Sequence, residues 1–422
     1  MDGPRPYLVY LFINVVFGLA FMLYATIASV YRIQTVGLDP LQLVLVGTVL
    51  ELAVLIFEVP TGVLADTYGR RRSVIAGFFL IGAGFSFEAA LPTFGAVLAA
   101  QVVWGVGYTF ISGALQAWIA DEMGGEELGR VYLRGEQMDY LGSFFGVLAS
   151  ALLATVALNL PLLLAGALTA ALGVALIFVM QERNFRPVPR EARSSWAQVG
   201  ATARGGARLV RARPVLLMLL AVAAFSGMSS EGFDRLWEAH LLQDIGLPSL
   251  GGLDPVVWFG VINAGALVLG YLAAEVIGRR LDVGSVAVAS RALFVLDALT
   301  IAGVLAFALA GSFALALAAF WLAGIARKLG EPMYLAWLNQ GLQPGVRATV
   351  ISISSQSNAL GQVAGGPVVG AVGTLTGIRA ALTVAALTLS PALLLYARAI
   401  RRSGAERPLE GSNDPRESNQ RY

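Results

Sequence analysis

Long apolar runs, each broken by only a few polar positions, fill most of the chain. A helix needs about 20 consecutive apolar residues to cross the hydrocarbon layer of a bilayer. By that rule twelve runs qualify. Six lie near 7–31, 41–64, 73–91, 94–119, 137–157 and 160–181, and six near 214–236, 255–278, 284–310, 312–339, 347–372 and 378–398. The last two runs of each half are joined by very short connections, as tight helical hairpins require. Residues 182–213 break the pattern with eight arginines, two glutamates, Pro187 and Pro189, and read as a linker holding an amphipathic or partly ordered segment. The polar, Pro/Gly/Ser-rich stretch from 401 onward reads as disordered. The pattern therefore predicts an all-α membrane protein of twelve transmembrane helices in two pseudo-symmetric six-helix bundles. Residues 1–181 and 214–400 form the bundles, 182–213 the linker and 401–422 the tail.

Composition agrees. Hydrophobic residues make up 57% of the chain, charged ones 13%, and the mean hydropathy is +0.72, where a soluble chain carries roughly a quarter charged residues. With no cysteine and one histidine, His240, a disulfide framework and a Cys- or His-cluster metal site are excluded. The first run follows the N-terminus without a small-residue cleavage site and reads as a retained helix. Lysine and arginine collect on the cytoplasmic side of short loops. With the termini and every second loop on one side, 23 of the 29 basic residues fall there. Arg32, Arg235 and Arg379 fall at the other face, and Arg291, Arg327 and Lys328 at membrane depth. Both termini are thus expected in the cytoplasm, in a bacterial cytoplasmic membrane. Lys328 is the one lysine, read as the codon bias of a GC-rich genome.

The two halves repeat. Leu38-Asp39-Pro40 opens the second run and Leu253-Asp254-Pro255 the eighth; a glutamate (Glu58, Glu275) and Gly-Arg-Arg (69–71, 278–280) follow each. Gly105 and Trp118 in the fourth run match Gly324 and Trp337 in the tenth at the same spacing. Parallel six-span repeats are a transporter architecture.

Between the second and third runs stands Gly62-Val-Leu-Ala-Asp66-Thr-Tyr-Gly69-Arg70-Arg71-Arg72. This resembles the signature loop of the major facilitator superfamily, in pattern and in position. Its glycines suit a tight turn and close helix approach. Asp66 can accept bonds from a helix N-terminus or an arginine, latching the halves on the cytoplasmic side. The resemblance implies Gly62, Asp66, Gly69, Arg70 and Arg71 as a conformational latch. Phe57-Glu58-Val59-Pro60-Thr61, Ser112-Gly113-Ala114 and Trp118 resemble a bacterial efflux-type subgroup. Two departures bear on coupling: Gln101-Val-Val-Trp104-Gly105 lacks the arginine that proton-coupled members often carry there, and the antiporter glycine–proline pattern of span five is reduced to Gly142 and Gly146. A similar string, Gly361 to Gly370 with Pro367, stands in span eleven.

A charge at membrane depth costs roughly 3 kcal/mol or more unless it meets a partner or a cavity, so such residues are site candidates. Glu51 lies near the middle of span two, with Glu58 about 10 Å further along the same face; Asp297 lies in span nine. These three are the proton-coupling candidates, Glu51 first because no base shares its helix. Arg327 and Glu331 have i,i+4 spacing for a salt bridge, and Asp297 has Arg291 on its own helix. Span seven ends in Glu231, Asp234, Arg235, Glu238 and His240, a gate, a cation-attracting vestibule or a solvated extension with internal ion pairs. Candidate cavity residues are Asn14 and Tyr24 in span one; Gln101, Tyr108, Ser112 and Gln116 in span four; Arg327 and Glu331; and Ser355, Asn358 and Gln362 in span eleven. Phe17, Phe21, Trp104 and Trp321 join Tyr24 and Tyr108 in an aromatic-rich interior. The expected function is alternating-access export of a small amphipathic or hydrophobic solute, coupled to protons. The alternatives are symport of a solute such as an anion bound by Arg327 and Lys328, transport of a lipid, or a membrane enzyme. No catalytic set, P-loop or metal spacing is present. The expected partners are a small-molecule substrate, membrane lipids and protons, with no cofactor, metal or nucleic acid, and the chain is expected to act as a monomer.

Overall fold

The computed structural model describes residues 5–124, 128–185, 213–249, 251, 254–278, 286–340, 342 and 344–405, and its long elements are all helices. In chain order they are α1 (Pro6–Tyr31), α2 (Pro40–Tyr68), α3 (Arg70–Ala90), α4 (Phe94–Ile111), α5 (Ala114–Met123), α6 (Leu128–Ala154), α7 (Leu160–Val179), α8 (Pro214–His240), α9 (Val257–Gly278), α10 (Val286–Ala308), α11 (Phe313–Leu338), α12 (Pro344–Thr376), α13 (Ile378–Thr388) and α14 (Ser390–Ala405). The helices α4 and α5 are one span broken at Gly113, whose φ of +73° suits glycine. Similarly, α13 and α14 share the last span. Among the described residues twelve spans result, close to the expected places save the fifth. Among the described residues ten helices are long and apolar enough to cross a membrane. The other two are α9, with a shorter apolar stretch at Val257–Ala273, and α12, which carries Ser354, Ser355, Asn358 and Gln362. The fifth span begins at Leu128, well before the expected 137, because the helix runs on through Arg130, Arg134 and Glu136 beyond its apolar run. Leu253, Arg279, Arg280, most of the linker and the tail beyond 405 lie outside the described residues.

The repeat is visible in local chemistry. Asp39 and Gln42 form a reciprocal capping box at the start of α2 (2.9 and 3.1 Å). Asp254 accepts the Val256 N–H at 2.9 Å ahead of α9. Thr93 caps α4 and Ser312 caps α11. Both α1 and α8 end in a single π turn, Arg32–Val36 and Leu241–Ile245.

Call the end where α1 begins the near end. Two apolar clusters lie wholly within one half each, the first around Phe78, Phe85 and Trp118, the second around Leu293, Trp337 and Tyr396. A third crosses between the halves at the far end, joining Val44 and Val46 to Phe233, Trp237, Phe259 and Val369. Here α2 packs on α12 and α8, and α6 on α9. Small residues permit the approach: a Cβ on Gly370 would stand 3.0 Å from the Leu41 Cα. The Leu41 N–H donates to Thr374 Oγ1 at 3.1 Å across the same seam. The far end is sealed.

Candidate functional site: the central cavity

Between the halves, on the near side of this seal, lie two connected chambers. The upper one, about 350 Å³, abuts the seal and is walled by aromatic side chains, among them Phe21, Trp104, Phe233, Trp237, Phe320 and Trp321. The lower one, about 1190 Å³, reaches toward the near end past Glu58, Ser112, Glu331 and Tyr334. Phe21, Trp104, Phe233, Asp234, Arg327 and Lys328 touch both. The aromatic interior expected from sequence is all here: Phe17 and Tyr108 line the lower chamber, Tyr24 and Trp321 the upper.

The charged residues are paired differently from expectation. Arg327 does not bond Glu331. Its two terminal nitrogens donate to both carboxylate oxygens of Asp234 on α8, at 2.6 and 2.8 Å. A bidentate fork across the bundle supersedes the single-helix spacing. Glu331 instead lines the lower chamber. Asp297 faces the Tyr396 phenol and not Arg291. The end of α8 is no solvated extension: Glu231 and Glu238 are buried, since α8 runs through the seam and π turns continue it. The expected internal pair does exist, with Arg235 Nε donating to Glu231 Oε1 at 3.2 Å. That pair lies over Gly47 of α2, where any Cβ would collide with both side chains. Glu51, one turn further on α2, therefore has a cation near it after all, Arg235 from the opposite half. Glu51 and Glu58 both line the lower chamber.

A cluster invisible to the sequence reading sits at the top. Arg32, expected at the outer face, is buried and donates to Glu88 through Nε (2.7 Å) and Nη2 (3.1 Å), and to Tyr24 Oη (2.6 Å). Tyr24 in turn donates to Glu88 at 2.7 Å, and the Gln101 amide donates to Glu88 at 2.8 Å. Trp104 Nε1 donates to the side-chain Oε1 of Gln101 at 2.8 Å. Buried charges survive where they are paired and hydrogen-bonded, and Glu88 accepts four bonds here. His240, the last residue named at the end of span seven, is also fully buried, between Asp244 (2.7 Å) and the Phe307 carbonyl (3.1 Å).

Of the polar candidates, Tyr24 and Gln101 line the upper chamber, and Tyr108, Ser112, Ser355, Asn358 and Gln362 the lower. Asn14 and Gln116 line neither. The Asn14 amide donates to the Tyr10 carbonyl one turn back, at 2.7 Å. Gln116 follows the break at Gly113, which ends the helical phase carrying Tyr108 and Ser112 into the cavity.

The loop from Gly62 to Arg72 is braced within the first half. Gly69 takes φ +109° at the turn. Glu182 accepts the Arg70 and Arg71 N–H groups at 2.7 and 3.1 Å. Arg70 bonds Asp121 and the Ala117 carbonyl, and Arg71 bonds the Ile177 and Met180 carbonyls. Asp66 is exposed, with Arg70 at 3.8 Å. These bonds run within the first half and to Glu182 at the start of the linker, and among the described residues the loop makes no bond to the second half in this conformation. Nor does Gly62 serve close approach, since a Cβ there would meet nothing within 4 Å.

Comparison with known proteins accords with this architecture. An uncharacterised MFS-type transporter of Bacillus subtilis (strain 168), YxaM, is 25% identical over 389 residues, covering 90% of this chain and 92% of that one. Among solved structures, the nucleoside transporter NupG superposes with a TM-score of 0.73 at 16% identity, over 94% of this chain and 99% of that one. A bacterial homologue of the human lysosomal transporter Spinster, inward-facing and unoccupied, gives 0.75 at 15% identity over 95% and 98%. Such identities carry the fold alone. The family model of the Major Facilitator Superfamily matches residues 10–296, and the chain belongs to that superfamily of membrane transporters.

Proposed function

We propose that the chain exports a small amphipathic solute from the cytoplasm in exchange for protons. The bundles at 1–181 and 214–400 would rock about the central cavity, tethered by the linker at 182–213. The observation that carries this reading is the cavity itself: it lies between the halves, sealed at one end and reaching toward the other, as an alternating-access carrier requires. Among the described residues, the start of α1, the end of α14 and Arg70, Arg71, Arg72, Arg130 and Arg134 belong to the near end, so the positive-inside rule supports a cytoplasmic near end and an inward-open state. Removing Arg32 and Arg235 from the outer face strengthens that asymmetry, because both are neutralised inside the protein.

Glu51 is the proposed proton carrier, with Glu58 and Asp297 as further candidates. It lies on α2 beside Arg235 of α8, so parting the far-end seam changes its electrostatic surroundings. A carboxylate whose neighbouring cation leaves during the cycle is suited to exchange a proton. In proteoliposomes loaded with a pH-sensitive dye, an amphipathic substrate should drive proton movement in the wild type. Glu51→Gln should abolish this yet leave substrate binding largely intact. Normal proton exchange by Glu51→Gln would remove Glu51 from the mechanism. A second reading, uptake of an anion by symport, would use Lys328, since Arg327 is committed to Asp234. The sign of the dye response separates the two.

A further inference from the structure

Four cations line the upper chamber, and three are already committed. Arg32 is held by Glu88, Arg235 by Glu231 and Arg327 by Asp234. Lys328 is the exception. It lies where the two chambers meet, and no carboxylate among the described residues forms an ion pair with it. Its stem crosses Gly270 of α9: a Cβ there would lie 3.1 Å from Lys328 Cδ and 3.6 Å from Nζ. The missing side chain makes room for the lysine stem at the α9 wall. Every other basic residue in the chain is arginine. A compact ammonium with three free donors therefore faces the cavity at one position. The other charge of this chamber without a close counter-ion, Glu238, is only 4% exposed and lies against Ser29, so it is not offered to a solute.

Lys328 is exposed to this cavity, so a counter-charge seated beside the aromatic walls would trade its water for an ion pair in a lower-dielectric setting. The walls supply the other half of a binding site, Trp104, Trp237 and Trp321 among them. A chamber of about 350 Å³ is the size of a small-ligand pocket. We propose that Lys328 anchors an anionic group of the solute, so that the substrates are amphipathic anions, a carboxylate on an aromatic or apolar body seated in the upper chamber. This rests on the cavity being the solute site and is independent of the direction of transport.

Three of the chain's seven tryptophans line the chamber and give a readout. Quenching of the share of tryptophan fluorescence that they contribute in the purified full chain would be titrated with 4-nitrophenylacetate, the neutral 4-nitrophenylacetamide and the cationic 4-nitrophenethylamine. One charge-assisted hydrogen bond corresponds to about tenfold or more in affinity, so the wild type should favour the acetate over the amide by at least that factor. Lys328→Gln should erase the preference while binding the amide as before, which also reports that the variant is folded. Lys328→Arg should keep the preference. Gly270→Val, which pushes the stem aside, should weaken acetate binding alone. If Lys328→Gln does not fold, the Lys328→Arg and Gly270→Val pair carries the same test. Equal affinities in the wild type, preference for the amine, or an acetate preference surviving Lys328→Gln would overturn the anchor. Quenching by none of the three would count against the cavity as the solute site as well as against the anchor.

Discussion

The Arg32–Glu88 cluster and the Asp234–Arg327 pair both set opposite charges at membrane depth, a few turns apart, yet they are built differently. In the first, the side chains are 5% and 0% exposed and come from one half of the protein, with Tyr24 and Gln101 taking up the remaining bonding capacity. In the second, Asp234 is 46% and Arg327 36% exposed, and both chambers wash the pair. A closed network cannot change partners without leaving a buried charge bare, so it serves as a rigid brace. An open pair can exchange a partner with water or a solute at small cost. The contrast separates scaffold from working surface within one ring of charges.

The sharpest way to break this distinction is to remove Arg32. Arg32→Ala leaves Glu88 buried without its cation, and the expected loss of stability is about 3–5 kcal/mol, read as a large fall in unfolding temperature in detergent. The double change with Glu88→Ala should recover part of the loss, the mark of a coupled pair. If Arg32→Ala is as stable as the wild type, the brace is no brace.

Arg327→Ala should cost far less, about 1 kcal/mol or below, because Asp234 can be rehydrated from the cavity. Solute binding in the cavity should change more than the unfolding temperature does. A stability loss matching that of Arg32→Ala would erase the proposed difference between the two pairs.

At the small end of the scale stand Gly62→Leu and Asp66→Asn. Neither residue is packed or buried in this conformation, so the loss of stability should be about 0.5 kcal/mol or less. Transport should nevertheless fall, because the loop is proposed to latch the halves when the near end closes. Wild-type transport rates in both variants would show that the loop makes no latch in the other state either.

How much of this was legible in the sequence follows from range along the chain. The spans and the loop at 62–72 depend on runs and spacings within about 30 residues, and the described helices follow them closely. The pairings are not local. Arg32 meets Glu88 56 positions away, and Arg327 meets Asp234 93 positions away. Against such contacts the i,i+4 spacing of Arg327 and Glu331 was the stronger local signal and the wrong one. Glu88 escaped attention because a lone glutamate at the end of span three reads as a loop boundary. One clue was present: the same end of the chain's first span offered Arg32 as an unmatched charge of opposite sign. Gln116 was lost to the break at Gly113, which no spacing rule carries through, whereas Tyr108 and Ser112 before the break are in the cavity.

If the two halves rock about the cavity, the far end opens as the near end closes. The chain has no cysteine, and introduced pairs report only on themselves. Spin labels at Asp39→Cys and Thr374→Cys span the sealed seam, where Thr374 Oγ1 stands 3.4 Å from Asp39 Oδ1. A second pair at Leu64→Cys and Arg347→Cys spans the near end of the same two helices, α2 and α12. Pulsed electron-electron distances in lipid, with and without a pH step and an amphipathic substrate, compare the two. The rocking account predicts that one distance grows as the other shrinks. Two distances that rise together, or a far-end pair that never lengthens under any condition, would contradict it.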